Sequence, residues 1–205
     1  MSFVILDNTK DLTNAKMTPL LIDYFESRNL HAIIISENEE LDTLESVDVL
    51  GIILSGGPIL LSEKSELFTY SKNFRVLLEY PRTPILGICF GFQLMGVAYG
   101  GHIQHLGHRA RDKVMETISQ YEPGGSLLYD SFVGPLEVFQ CHQDHLVKCP
   151  PGFRVTSRNA DNIIQSIECI EKLRFGVQFH PENSPDGHRL LNNFINTCMD
   201  RVSHS

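Results

Sequence analysis

The first half of the chain alternates short β-branched runs with stretches of helical period. Phe3 to Leu6 reads as a strand. Leu20, Leu21, Tyr24 and Phe25 then recur at helical spacing. Thr18 predicts the cap of that helix, with Pro19 in its first turn, where a missing N–H costs nothing. His31 to Ile35 predicts a second strand, and the acidic stretch Glu37 to Glu45 a solvated loop and helix. Val49 to Leu54 is apolar on both faces, as buried parallel strands are. A helix over about 64–79 leads to a fourth strand, Pro84 to Ile88. This strand–helix alternation predicts an α/β fold with a doubly wound, mostly parallel sheet flanked by helices.

The pattern changes in the second half. Runs near 113–118, 136–141, 153–157, 163–169 and 173–179 are strand-like, separated by Gly, Pro and Asn. They predict an antiparallel or mixed addition to the sheet. The chain closes on a helix whose apolar stripe is Leu190, Leu191, Phe194, Ile195, Cys198 and Met199. No repeat, low-complexity tract or linker interrupts the pattern, so residues 1–205 read as one domain.

Composition removes several function classes. The chain is 42% hydrophobic and 20% charged, and no segment approaches the roughly 18–20 apolar residues of a membrane span. A net charge of −8 argues against general nucleic-acid binding, which needs a basic surface. The opening Met1-Ser2-Phe3-Val4 lacks a basic leader, which argues against a secretory signal. The five cysteines include no C-x-x-C pair and no zinc spacing, as expected of a reduced, cytoplasmic setting.

Against this background, Gly87-Ile88-Cys89-Phe90-Gly91 stands out. G-x-C-x-G between a strand and a helix is the thiol version of a nucleophile elbow. The two glycines permit a sharp turn, and the helix beginning near Phe90 directs its N-terminus at the sulfur, favouring the thiolate. Taken alone, Cys89 is equally readable as a small buried hydrophobe. That bland reading prevails for Cys141, Cys149, Cys169 and Cys198, which lack such a setting. His180-Pro181-Glu182 follows a strand-like run, offering an imidazole base and a carboxylate to orient it, with a rigid proline between. Leu54-Ser55-Gly56-Gly57-Pro58 ends the third strand, and its glycines let backbone amides approach a ligand closely. The N–H groups of Gly57 and Phe90 then form a candidate oxyanion site. A glycine turn without a ligand is the alternative. A Ser-Gly-Gly loop also opens the phosphate loop of ATP pyrophosphatases, but the Asp-Ser pair that follows there is absent, as is G-x-x-x-x-G-K-[ST]. His102, His105 and His108 recur every third residue without carboxylate company and read as solvent-facing loop residues, and no metal site is expected.

The three motifs together resemble the class I glutamine amidotransferases, the glutaminases with a Cys-His-Glu triad. The match runs over nearly the whole chain, with S-G-G-P at 55–58, G-I-C-F-G-F-Q at 87–93 and V-Q-F-H-P-E at 177–182 in the family's order. The resemblance implies that Cys89 is the nucleophile, His180 the base and Glu182 its orienting acid, with Gly56 and Gln93 at the substrate's glutamine side chain. Within the family, Phe139 to His145 and Arg109-Ala110-Arg111 look closest to the glutaminase subunit or domain of GMP synthases, and His142 and Asp144 stand in that group's S-H-x-D segment. They are carried over as substrate contacts or as contacts that couple the site to a synthase. Three stretches depart from the usual pattern: Cys141 replaces serine, Asn183 to Gly187 follows Glu182, and Asp7-Asn8-Thr9-Lys10 follows the first strand.

The resemblance further implies L-glutamine as substrate, a γ-glutamyl thioester on Cys89, and ammonia delivered to an ATP-dependent synthetase partner. No cofactor is expected in this chain, because ATP and magnesium would belong to that partner. Three alternatives stay open. One is a stand-alone γ-glutamyl peptidase or hydrolase, and another is the glutaminase of an anthranilate or aminodeoxychorismate synthase, although those relatives usually carry His-Ser-Leu where this chain has His142-Gln143-Asp144. The third is a regulatory subunit that has kept the fold without turnover.

Overall fold

In the computed structural model, which describes residues 1–9, 17–36, 39–63, 70–122 and 125–203, the apolar runs of the first half become parallel strands. These are β1 (Ser2–Leu6), β2 (Ala32–Ile35), β3 (Val49–Leu54) and β4 (Ile85–Ile88). Between and after them lie helices α1 (Thr18–Glu26), α2 (Asp42–Glu45), α3 (Ser71–Glu79) and α4 (Phe90–Ala98). The second half contributes β5 (His102–His105), β6 (Arg111–Ile118), β7 (Gln120–Tyr121), β8 (Leu136–His142), β9 (Asp144–Lys148), β10 (Arg154–Arg158), β11 (Ile164–Cys169) and β12 (Arg174–Val177), then the closing helix α5 (Pro185–Ser203).

Eight strands form one sheet in the order β2-β1-β3-β4-β12-β11-β10-β7. Pairing is parallel from β2 through β12 and antiparallel from β12 to β7. The result is the doubly wound sheet with an antiparallel addition that the sequence pattern predicts. Two ribbons, β5–β9 and β6–β8, stand apart from the main sheet.

Side chains alternate across a strand, so both faces need cover. On one face Phe3, Ile5, Ile53, Ile88 and Phe175 pack with Leu21 and Phe25 of α1 and Leu191 and Phe194 of α5. On the other, Val4, Leu6, Ile52, Leu54 and Ile85 pack with Val76 and Leu77 of α3 and Met95 of α4. Parallel pairing thus lines up the carboxyl ends of β3, β4 and β12, the edge where open α/β sheets place ligands.

Several expectations shift in the structure. Thr18 does not cap α1: the cap position falls on Met17, and the Thr18 hydroxyl donates to Asp7 Oδ1 at 2.6 Å. The helix expected over 64–79 is observed as α3 from Ser71, residues 64–69 lying outside the described segments, as do 37–38 of the acidic stretch. His102 and His105 sit on strand β5 rather than in a loop, although both are exposed. The strand expected over 173–179 stops at Val177, freeing the motif that follows. Met199, placed on the apolar stripe of α5, is 41% exposed, although Cys198 beside it is buried and Val202 packs on the core. Among the described residues, no helix is long and apolar enough to cross a membrane.

One buried cation locks β12 against α3. Arg174 is 1% exposed, and its guanidinium donates to Thr83 O, Lys172 O, Leu77 O and Tyr80 O at 2.7–3.1 Å and to the Tyr99 hydroxyl at 3.1 Å. The Leu77 and Tyr80 carbonyls belong to the end of α3, whose dipole favours a cation there. Replacing Arg174 by Met leaves these acceptors buried without donors. Urea unfolding should then show a loss on the order of 3 kcal/mol or more.

Candidate active site

Only Cys89 separates β4 from α4, and the turn it makes is sharp. Its backbone sits at φ 49°, ψ −101°, a region that L-residues enter only when their surroundings force them. The Cys89 amide donates to Val177 O at 2.8 Å, tying the turn to the end of β12. On its other flank, the Gly91 amide donates to Ser55 O at 3.1 Å. A side chain at Gly91 is impossible without rearrangement, because a Cβ would lie 2.2 Å from Leu54 O. The elbow therefore depends on α4 pressing directly onto the end of β3, with its N-terminus at the sulfur.

The histidine arrives from β12. The His180 amide donates to Phe139 O at 2.8 Å, and Pro181–Asn183 forms a short 3-10 turn. Since a carboxylate only accepts, the 2.8 Å contact with Glu182 Oε1 makes His180 Nδ1 the donor and leaves Nε2 for sulfur. The imidazole lies beside Cys89, both side chains coming close to the Gly56 backbone. Burial disfavours the imidazolium, but the charges of Glu182 and Cys89 outweigh it and raise the His180 pKa well above the usual range. The departure at Asn183–Gly187 builds the support of this turn. Ser184 Oγ accepts the Gly187 amide at 3.1 Å at the head of α5, and His188 Nε2 donates to Glu182 O at 3.0 Å.

The glycine loop closes the third side. A Cβ on Gly56 would fall 2.8 Å from His180 Cε1, so the bare backbone lies against the imidazole. Gly57 packs on the Phe90 ring, and among the described residues neither the Gly57 nor the Phe90 amide donates to another protein group. Beneath the loop lies a polar cluster that motif spacing does not reveal. Asn8 N donates to Ser55 Oγ at 2.9 Å, Asn8 Nδ2 to Ser55 O at 2.8 Å, and Asn73 Nδ2 to Asn8 Oδ1 at 2.7 Å. Asp7, which holds the Thr18 hydroxyl, completes it. The departure at Asp7-Asn8 thus anchors the glycine loop to the end of β1.

These elements surround a cavity of about 370 Å³ lined by Gly57, Cys89, Phe90, Gln93, Arg111, Cys141, His142 and Asp144, among others. Gln93 faces inward from α4, but its Nε2 donates to Asp144 O at 2.9 Å and to Gln178 Oε1 at 3.2 Å. The Asp144 carboxylate turns away from the sulfur and accepts from Ser62 N at 2.8 Å and Ser62 Oγ at 2.6 Å. His142 Nδ1 donates to the same Asp144 carbonyl at 2.9 Å. Burial, with smaller contributions from Arg111, His180 and His145, pushes the His142 pKa down to about 4, so this imidazole is neutral beside a charged one. Arg111 is held by Glu116 at 3.1 Å and by Asp161, while Arg109 is exposed. Gln178 and Ser62 are site residues that spacing alone did not reveal.

The fold and this constellation set a cysteine, a histidine and a carboxylate together at the carboxyl edge of an α/β sheet, and likeness to known proteins gives the chain a family. A profile described as "Glutamine amidotransferase class-I" matches residues 5–198, and the chain belongs to that family. It is similar to a GMP synthase [glutamine-hydrolyzing] of Leifsonia xyli, 36% identical over 71% of this chain and 28% of the relative. It is also 30% identical to a separate, shorter subunit of GMP synthase [glutamine-hydrolyzing] from Methanobrevibacter smithii, over 80% of this chain and 81% of that one. The chain therefore spans about a third of the length of the full synthases it matches, but most of the shorter protein. Among solved structures, a putative GMP synthase subunit of Thermoplasma acidophilum superposes with a TM-score of 0.81 at 20% identity, covering 99% of this chain and 96% of that one. A glutamine amidotransferase of Thermotoga maritima superposes at 0.72 and 20% identity, covering 99% and 84%.

The two buried histidines have opposite linkages to pH. The raised pKa of His180 stabilises the fold fully below the ordinary value of 6.5, and that contribution is lost as pH rises through its folded pKa. In an NMR titration the His180 ring should titrate above 6.5, and Glu182→Gln should move it down. His142 has the reverse sign. Its contribution is present above 6.5 and is lost as pH falls toward about 4, because the unfolded chain binds the proton first. Urea unfolding at pH 7 and pH 4.5 should show the wild type losing up to about 3 kcal/mol through this group, a loss that His142→Leu removes.

Proposed function

We propose that this protein hydrolyses the side-chain amide of L-glutamine and passes the ammonia to an ATP-dependent synthetase of the GMP synthase type. The observation that carries the reading is that Cys89 opens into an amino-acid-sized cavity with the His180–Glu182 pair beside it, in a chain of the class I glutamine amidotransferase family. The likeness to a separate GMP synthase subunit, most of whose length the chain covers, supports the synthetase assignment.

In this mechanism Cys89 Sγ attacks the glutamine carboxamide carbon. The carbonyl oxygen becomes an oxyanion held by the amides of Gly57 and Phe90, which no other described group engages. Protonated His180 gives its Nε2 proton to the departing nitrogen, and ammonia leaves a γ-glutamyl thioester on Cys89. Neutral His180 then takes a proton from water, which attacks the thioester and releases glutamate. Glu182 holds the imidazole throughout and stabilises its cationic form. Gln93 lines the path of the glutamine side chain, His142 and Asp144 shape the cavity wall, and Gly56 backs the His180 imidazole. No cofactor enters these steps, and ATP and magnesium belong to the synthetase, where XMP is the acceptor on this reading.

Ammonia release from glutamine tests it, measured for wild type and Cys89→Ala, alone and with an ATP-pyrophosphatase-type GMP synthetase. The expected result is weak release alone, stimulation by the synthetase, and a loss of about 10³-fold or more in the variant. Preferential cleavage of γ-glutamyl peptides over glutamine would overturn the substrate, and full turnover without any partner would overturn the coupling.

A further inference from the structure

Gln178 follows β12 directly, is wholly buried, and has no role in the mechanism above. The orientation of its carboxamide is fixed by its neighbours. Gln93 must present nitrogen to the Asp144 carbonyl, which only accepts, at 2.9 Å. That same nitrogen then meets the oxygen of the Gln178 side chain at 3.2 Å. The other end of the Gln178 amide, its NH2 group, is thereby turned to Cys89 Sγ at 3.8 Å. The sulfur needs such a donor, because the Cys141 carbonyl oxygen also faces it at 3.7 Å. That oxygen accepts from a neutral thiol and repels an anionic one.

We propose that Gln178 is a further catalytic residue of this site: its carboxamide N–H, aimed by Gln93, hydrogen-bonds the Cys89 thiolate and offsets the opposing carbonyl of Cys141. Gln93 is then a positioning residue that acts on the sulfur through Gln178, and Asp144, pinned by Ser62, is the fixed end of the chain. The inference rests on the glutaminase reading for its catalytic consequence, but the contact itself belongs to the thiol and is measurable without turnover.

The test is the rate of Cys89 carbamidomethylation by iodoacetamide as a function of pH, followed by peptide mass spectrometry so that the other cysteines do not contribute. Gln178→Leu should move the profile to higher pH and slow alkylation near neutrality roughly fivefold, the worth of one hydrogen bond. Gln178→Glu keeps the size and the Gln93 contact but places an oxygen against the sulfur, and it should move the profile further. Should the leucine variant fail to fold, the near-isosteric glutamate variant carries the same test. Gln93→Met should shift the profile in the wild-type background and have no effect in Gln178→Leu. Folded variants whose profiles superpose on the wild type would overturn the proposal and leave Gln178 as packing. Glutaminase assays on the two Gln178 variants should show kcat falling with KM within about twofold. If no protein, wild type included, releases ammonia, the glutaminase reading fails while the alkylation profiles still decide the contact.

Discussion

The structure depends on one strained residue. A cysteine with positive φ is costly by about 1–3 kcal/mol, and it persists only where the surroundings over-determine it. Here the constraint comes from both sides: Val177 takes the Cys89 amide, and Ser55 takes the Gly91 amide. Those acceptors lie at the ends of β12 and β3, so the turn exists only once the parallel core of the sheet has assembled in register. The same strands then deliver the other two parts of the site, since the glycine loop continues from β3 and the His180 turn from β12. Folding and site assembly are one event.

Around the sulfur, charge is separated by environment rather than by distance. His180 has a carboxylate and a thiol and favours the imidazolium, whereas burial, helped by nearby cations, outweighs the carbonyl beside His142 and keeps it neutral. Two polar networks flank the pair. On one side the end of β1, through Asp7 and Asn8, holds Ser55 and with it the glycine loop. On the other, Ser62, Asp144, Gln93 and Gln178 form a continuous chain to the sulfur. Both networks are buried, and partly satisfied networks are costly, so each also rigidifies what it holds.

Much of this was legible in the sequence, because glycine and proline punctuate it. Gly87, Gly91, Gly56, Gly57 and Pro181 mark the three turns at strand ends, and the apolar period between them places those strands in one sheet. What escaped reading are contacts made across long separations by ordinary polar residues. Thr18 has every local mark of a cap, yet Asp7 takes its hydroxyl, a tertiary contact that local pattern cannot express. Gln178 sits inside a recognised motif, but its partners are 85 and 89 residues away. Strands β5 and β9 are short and pair only with each other, so they lack the apolar run that betrays a core strand.

Arg174 has a consequence beyond the strength of its bonds. The other strongly held arginines near the sheet, Arg154 and Arg111, lean on Glu168, Glu122, Glu116 and Asp161. The hydrogen-bond acceptors around Arg174 are carbonyls and a phenol, so acid has no carboxylate there to neutralise. Salt screens it little, since the group is out of reach of solvent. The junction of β12 and α3, at the end of β12 and β4 opposite the nucleophile turn, is therefore held by a charge whose grip is indifferent to the medium.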